Sequence, residues 1–299
     1  MTDQLKAHRP QQESSSQVSV IEPQHKDLGG FSVRRVLPAR QHRMVGPFIF
    51  FDHFGPAEFP PGEGIQVRPH PHIGIATISY LFEGQIVHRD SLGYTQVIRP
   101  GAVNLMTAGR GIVHSERAGD DLDERSRLHG LQLWIALPDD LEWTEPDFIH
   151  YPAAEIPDFE FDGSTVRLIM GHWLRHASPV LQHSPTVYAE CALSAGRQLT
   201  LPMEHAEIAV YGVSGALRAN GEELITGLML AFNGTSEIRL EALEDSRVVF
   251  VGGDPVGKRH IWWNFVASDR AMIERAKADW QAGHFDTVPG DDEFIPLPD

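Results

Sequence analysis

Between residues 73 and 81 the chain alternates Ile73, Ile75, Thr77, Ser79 and Leu81 with Gly74, Ala76, Ile78 and Tyr80, so both faces of one extended segment are largely apolar. A strand covered on both sides, as in the wall of a barrel or sandwich, carries that pattern. Short β-rich apolar runs bounded by Pro and Gly precede it, FSVRRVLP (31–38) and PFIFFDHFGP (47–56). Gly84, Gly93, Gly101 and Gly109 then recur at intervals of eight or nine residues. That is the strand-and-turn rhythm of an all-β sandwich or barrel. LHGLQLWIALP (128–138) closes this first module.

A passage rich in Pro and acidic residues follows, and then a second train of strand signals: TVRLIMG, TVYAECALSAG, IAVYGVSGALRANG, ELITGLMLAFNG, IRLEAL and RVVFVGG. Asn220-Gly221 and Asn233-Gly234 mark hairpin turns, because Asn and Gly tolerate the positive φ that tight turns require. The pair ISYLFEG and VIRPGAVNLMTAG resembles the pair VYGVSGAL and LITGLMLAFNG, so the second half reads as a relative of the first. One helix is expected near the end. Ser268-Asp269 supplies an N-cap, Ile273, Ala276 and Trp280 form one stripe, and Gly283 stops the helix.

The predicted layout is a polar flexible tail over 1–27, an N-terminal metal-binding barrel over 28–140, a linker over 141–162 and a C-terminal barrel without ligands over 163–268. A helix and extended tail over 269–299 complete it. Trp280, Phe285, Phe294 and Ile295 need burial to offset the entropy of ordering that segment, so it is expected to pack back on the first barrel.

A chain of 299 residues exceeds what one core usually supports. With 25 Lys plus Arg against 41 Asp plus Glu, the formal charge of −16 has the wrong sign for a phosphate backbone, so direct nucleic-acid binding is not expected. Cys191 is the single cysteine, which precludes an intrachain disulfide, and its strand-like surroundings in YAECALSAG read as a buried apolar position. The N-terminal residues lack an apolar leader and no run reaches membrane-span length, so a cytoplasmic protein without membrane insertion is expected.

The chemistry concentrates in two short elements. His70 and His72 in RPHPHIG lie two apart, as do His114 and Glu116 in GRGIVHSE, and in extended chain each pair projects from one face. Antiparallel hairpins between them can bring the two pairs together inside a barrel. Pro69 and Pro71 restrict the backbone and hold the first pair before an ion arrives. Three imidazoles and a carboxylate without thiolate suit one divalent ion per chain. Iron, manganese, nickel, copper and zinc are all admissible, and six-coordination would leave two open positions.

Most of the 16 histidines are ordinary polar residues on this reading, His88, His129, His150, His172 and His260 among them. His88-Arg89-Asp90 reads as a surface ion pair at a hairpin tip. Of Phe48, Phe50, Phe51 and Phe54, at least half are expected in the core, the others lining a pocket. Met203, His205 and Glu207 occupy the equivalent entry strand of the second barrel, but no His-x-Glu pair follows them.

Taken together, PHPHIGIATISYLFEG, VHRDSLG, PGAVNLMTAGRGIVHSE and PGDDEFIPLP resemble the pirin family of the cupin superfamily over nearly everything after the N-terminal tail. The resemblance implies an all-β bicupin, two tandem jelly-roll barrels with a C-terminal helix, an iron site in the first barrel and a degenerate second one. It places the metal ligands on His70, His72, His114 and Glu116. It also implies similarity to quercetin 2,3-dioxygenases, which open a flavonol ring with O2. Glu116 would then be the catalytic group that accepts the flavonol proton. The alternative it leaves open is a non-catalytic, iron-dependent redox sensor that binds a regulatory protein partner. Two departures from the family pattern bear on the pocket: His53 in DHFGP where an acidic residue is expected, and IWWNFVASD (261–269) where Gly-Pro-Phe is usual.

Overall fold

The structure, a computed structural model, describes residues 17–27, 31–119 and 122–298. It is all-β apart from a 3-10 turn and one α-helix, and it consists of two jelly-roll barrels in tandem. In the first barrel a seven-stranded sheet runs in the order Asp147–Tyr151, Val103–Thr107, Ile75–Glu83, Ser126–Ala136, Phe48–Phe59, Ser32–Leu37, Gln24–Asp27. Opposite it lies a four-stranded sheet ordered Gln66–His72, Ile112–Ala118, Ile86–Asp90, Thr95–Ile98. The second barrel repeats the plan with an eight-stranded and a four-stranded sheet.

The two large sheets meet face to face, which is why Ile75–Glu83 is apolar on both sides. Ala76, Ile78 and Tyr80 enter a core shared with Tyr188, Tyr211 and Val249 of the second barrel, while Ile75 and Leu81 fill the interior of the first. The strand Phe48–Phe59 divides in the same way. Phe48 and Phe51 pack in the shared core, and Phe50 and Phe54 turn inward. Polar groups at the junction are paired. The Gly46 N–H donates to Glu207 Oε2 at 2.7 Å, and His53 bonds Tyr211 Oη and His129 Nε2, each at 2.7 Å. His53 therefore faces the other barrel, so its departure from the family pattern does not reshape the first barrel's interior.

The second barrel is filled by Val166, Leu168, Leu199, Leu201, Ile208, Val210, Phe232, Phe250 and their neighbours. Cys191 is fully buried among them, and that burial pushes its thiol up to about 12.

Several segments differ from the sequence expectation. Residues 1–16 of the expected flexible tail lie outside the described residues, and residues 17–27 form two strands. Gln17–Ile21 pairs with Met229–Asn233 in the second barrel, and Gln24–Asp27 pairs with Ser32–Leu37 in the first. Gln24–Asp27 is a short polar edge strand held by main-chain pairing that local composition does not signal, whereas Gln17–Ile21 also buries Ile21 in the shared core and packs Val18 on the second barrel. The passage expected to be a linker likewise gives an edge strand to each barrel, Asp147–Tyr151 and Asp158–Phe161.

Asn220-Gly221, at φ 50° and 88°, closes the hairpin between Ala216–Ala219 and Glu222–Ile225. Asn233-Gly234 does not close a hairpin. The strand before it pairs with Glu207–Ser214 and Gln17–Ile21, whereas the next, Glu237–Ala242, belongs to the opposite sheet. The dipeptide turns a corner between sheets.

The helix spans Arg270–Gln281, with Asp269 accepting from the Ala271 N–H and Ile273 and Ala276 buried. Among the described residues no helix is long and apolar enough to cross a membrane. The segment before the helix joins the first barrel through a parallel bridge from Phe265 to Ile73. Beyond the helix, the Trp280 indole N–H donates to the Ile295 carbonyl, whose own N–H donates to Pro69 O at 2.9 Å. Arg117 grips Asp291 in a two-pronged pair at 2.7 and 2.9 Å. Phe294, expected to be buried, is 59% exposed, so Ile295 and Val288 supply the inward contacts instead.

Candidate metal centre

The strand Gln66–His72 can hold two prolines because it is the edge of its sheet, where a missing N–H breaks no inner ladder. Among the described residues its strand partner is Ile112–Ala118, in a register that sets His114 opposite His70 and Ile112 opposite His72. Residues directly opposite share a face, so the three imidazoles converge on the barrel interior. Ring centroids lie 4.4 Å apart for His70 and His114, 5.0 Å for His70 and His72, and 5.1 Å for His72 and His114. One ring nitrogen from each falls within 4.8 Å of the others.

All three histidines are buried, and burial is the leading cause that lowers their basicity. His70 is brought down to about 4, and His72 and His114 lie well below the ordinary imidazole value. They are therefore neutral at neutral pH and able to ligate. His70 donates from Nδ1 to Arg68 O at 2.9 Å and His72 from Nδ1 to Asn264 O at 3.2 Å, which leaves each Nε2 lone pair free. Nε2 of His114 is buried and meets no protein donor or acceptor. Such a bare, inward imidazole nitrogen is costly unless something occupies it. The residues fit a divalent ion of the iron-to-zinc group, and among the described residues they are the group of His, Cys, Asp or Glu assembled to hold one.

Glu116 is placed less tightly. A β-bulge between His114 and Glu116 shifts the pairing so that Glu116 faces Val67 on one side and His88 on the other. Its carboxylate lines the same cavity but stands outside the set of ligand atoms within 4.8 Å. Burial alone pushes its carboxyl up to about 7.

The cavity above the triad measures about 370 Å³, within the range of small-molecule sites. Phe50 and Trp134, stacked at 4.0 Å and 11°, form one wall, and Trp134 also meets His72 edge-on. Ile65, Val67 and Ile86 form the opposite wall. Polar groups are few. Arg35 pairs with Asp52 through two bonds of 2.7 Å and lies over the Phe50 ring, and Gln132 is fixed by the Ser79 hydroxyl at 2.7 Å. Trp263, Asn264 and Ile295 of the C-terminal segment complete the lining. The second departure, IWWNFVASD, thus acts directly on the pocket. Phe50 is among the aromatics expected to supply pocket lining, and Trp263 and Asn264 lie in the departing motif. Arg35, Asp52, Gln132 and Trp134 were not singled out for the site from sequence, because isolated Arg, Asp, Gln or Trp residues in strands carry no motif.

The reading of His88-Arg89-Asp90 as a surface ion pair is overturned. His88 and Asp90 are 5% and 0% exposed, and they pair at 2.8 Å beside the triad. Residues two apart on a strand share a face, and here that face is the interior; only Arg89 points out. Their spacing, the same as in His70-x-His72, was the available signal. In the second barrel, Glu207 is committed to the Gly46 N–H.

Comparison with known proteins agrees with this arrangement. The Pirin family model matches residues 30–135, and the model for the Pirin C-terminal cupin domain matches residues 188–286. A "Pirin-like protein" of Caulobacter vibrioides is 47% identical over 284 residues, covering 94% of this chain and 99% of the relative. The chain belongs to the pirin family. Another member, from Pseudomonas aeruginosa and provisionally named a quercetin 2,3-dioxygenase, is 40% identical over 85% of this chain and 80% of its own length. A crystal structure titled quercetin 2,3-dioxygenase from Acinetobacter baumannii superposes with a TM-score of 0.88 at 36% identity, covering 94% of this chain and 95% of that one. The two-barrel architecture is thus shared over 94% of the pirin chain.

Proposed function

We propose that this pirin is a metal-dependent dioxygenase of the quercetin 2,3-dioxygenase type, which opens a flavonol ring with O2 at an Fe(II) ion held by His70, His72, His114 and Glu116. The observation that carries the reading is the convergence of three neutral imidazoles, their Nε2 atoms unclaimed by protein, on the floor of an aromatic-walled cavity. The quercetin dioxygenase names of relatives that match 85% and 94% of the chain support the choice of substrate class. When bound, the ion supplies Lewis-acid and oxygen chemistry.

The chain's own residues do the rest. The carbonyls of Arg68 and Asn264 fix the Nδ1–H tautomers of His70 and His72 and so keep their lone pairs turned inward. Phe50 and Trp134, stacked on each other, form a rigid aromatic wall beside which an aromatic ring packs, and together with Ile65, Val67 and Ile86 they exclude water. Glu116, poised at about 7, takes the proton of the flavonol enol hydroxyl at neutral pH. Turnover of quercetin by iron-loaded protein, followed as loss of flavonol absorbance, tests the proposal, with manganese, nickel and copper loaded in parallel. Absence of turnover with all four would remove quercetin as substrate.

A further inference from the structure

The three cavity histidines are anchored in two different ways. His70 and His72 donate from Nδ1 to main-chain carbonyls, which are acceptors only. Nδ1 of His114 instead faces Nδ1 of His88 at 3.4 Å, and Nε2 of His88 faces Asp90 Oδ2 at 2.8 Å. With one hydrogen on each ring, two imidazoles meeting nitrogen to nitrogen have two ways to share a proton, and a main-chain carbonyl is not there to decide between them. Asp90 decides. It is fully buried, and its Oδ1 accepts from the main-chain N–H groups of Leu92 and Tyr94 at 3.0 and 3.1 Å, so Oδ2 is left as an acceptor.

The proton positions then follow in order. His88 must carry its hydrogen on Nε2, which leaves a lone pair on its Nδ1. That lone pair accepts the Nδ1 hydrogen of His114, and Nε2 of His114 is bare. This is the nitrogen that is buried without a partner, on a ring whose centroid lies 4.4 Å from that of His70 and 5.1 Å from that of His72. Phe148, stacked on His88 at 4.2 Å and 12°, holds the plane of the intermediary ring.

We infer that His88 and Asp90 are positioning residues whose hydrogen-bond chain locks His114 in the one neutral tautomer able to ligate a metal ion. The inference rests on the reading of the triad as a metal site, and it assigns a role to the His-x-Asp element next to it.

Asp90→Asn separates this role from a merely structural one. The two main-chain N–H groups retain the amide oxygen, so the amide NH2 faces Nε2 of His88. It donates there, moves the hydrogen of His88 to Nδ1, and drives the hydrogen of His114 onto Nε2. The fold and packing are kept while the metal-facing lone pair is lost. Two readouts are needed. Two-bond ¹H–¹⁵N correlation spectra of the metal-free protein report the His114 tautomer directly. Zn(II) and Co(II) dissociation constants, measured by chelator competition, report the consequence.

The expected result is an Nδ1–H His114 in the parent protein, an Nε2–H His114 in Asp90→Asn, and affinity about 10- to 100-fold weaker in the variant. The double variant His88→Phe with Asp90→Asn releases His114 from the imposed tautomer, so it should bind more tightly than Asp90→Asn alone. A buried pair serving only stability would give the opposite order. An Nε2–H His114 in the parent protein overturns the inference whatever the variants do, as does affinity in Asp90→Asn within twofold of the parent. If the parent binds neither ion while showing the Nδ1–H tautomer, the metal reading fails and the hydrogen-bond chain stands.

Discussion

Replacing Glu116 by Gln should stabilise the metal-free protein at alkaline pH and leave it nearly unchanged in mild acid. In the folded chain the carboxyl is pushed from 4.5 to about 7 by burial, so the folded state disfavours the charged form and binds more protons than the unfolded state between those values. The resulting destabilisation is fully present above pH 7 and fades as pH falls toward 4.5. At 1.36 kcal/mol per pH unit the ceiling is about 3 kcal/mol, which residual solvent contact at this half-buried residue screens to about 2–3 kcal/mol. For a chain of this size that is a rise in midpoint of roughly 4–10 °C.

The measurement is a set of thermal or denaturant melts of chelator-stripped parent and Glu116→Gln at pH 8.5 and 5. His70, lowered to about 4, contributes in the other direction as pH drops below 6.5, but it is common to both proteins and cancels in the difference. A gap that does not shrink in acid, or a variant less stable at pH 8.5, would refute the reasoning. It would mean that the fold supplies donors to the carboxylate.

Metal affinity should fall about tenfold per pH unit below 7 as Glu116 takes up its proton. In Glu116→Gln it should stay level until His70 protonates near 4; the fall below about pH 6 that unperturbed imidazoles suggest is displaced by burial. Competition titrations between pH 4.5 and 8 would show either profile. Gly74→Ala should cost more than about 2 kcal/mol, since φ is +69° and a Cβ would lie 2.0 Å from Val266 O; a melt within about 0.5 kcal/mol of the parent would contradict this contact. Removal of residues 270–299 takes away Ile295, which lines the cavity, and the Asp291 partner of Arg117. We expect a lower thermal midpoint and weaker metal binding together, and an unchanged value for both would mark the segment as independent of the first barrel.

Much of this was legible in the sequence because it is written in local periodicity. A two-sided apolar strand, glycines at regular spacing, a capped amphipathic helix and the His70-x-His72 spacing of two of the three clustered imidazoles each follow from residues close together in the chain. What escaped was decided between distant segments. Gln17–Ile21 crosses to the second barrel to pair with Met229–Asn233, a distant partner that local periodicity cannot name. His88 and Asp90 look like surface charges until strand register puts them beside His114. Asn233-Gly234 has the chemistry of a hairpin, but its two strands find partners in different sheets. Asn264 reaches His72 from 192 positions away, through a main-chain oxygen that any residue would supply.

The central claim is that the buried triad holds an ion, and metal analysis of the purified chain tests it most directly. Expressed with iron supplied, the parent protein should carry about one divalent ion per chain, and His70→Ala and His114→Ala should each lose it while remaining folded. Metal content unchanged in both variants would contradict the account.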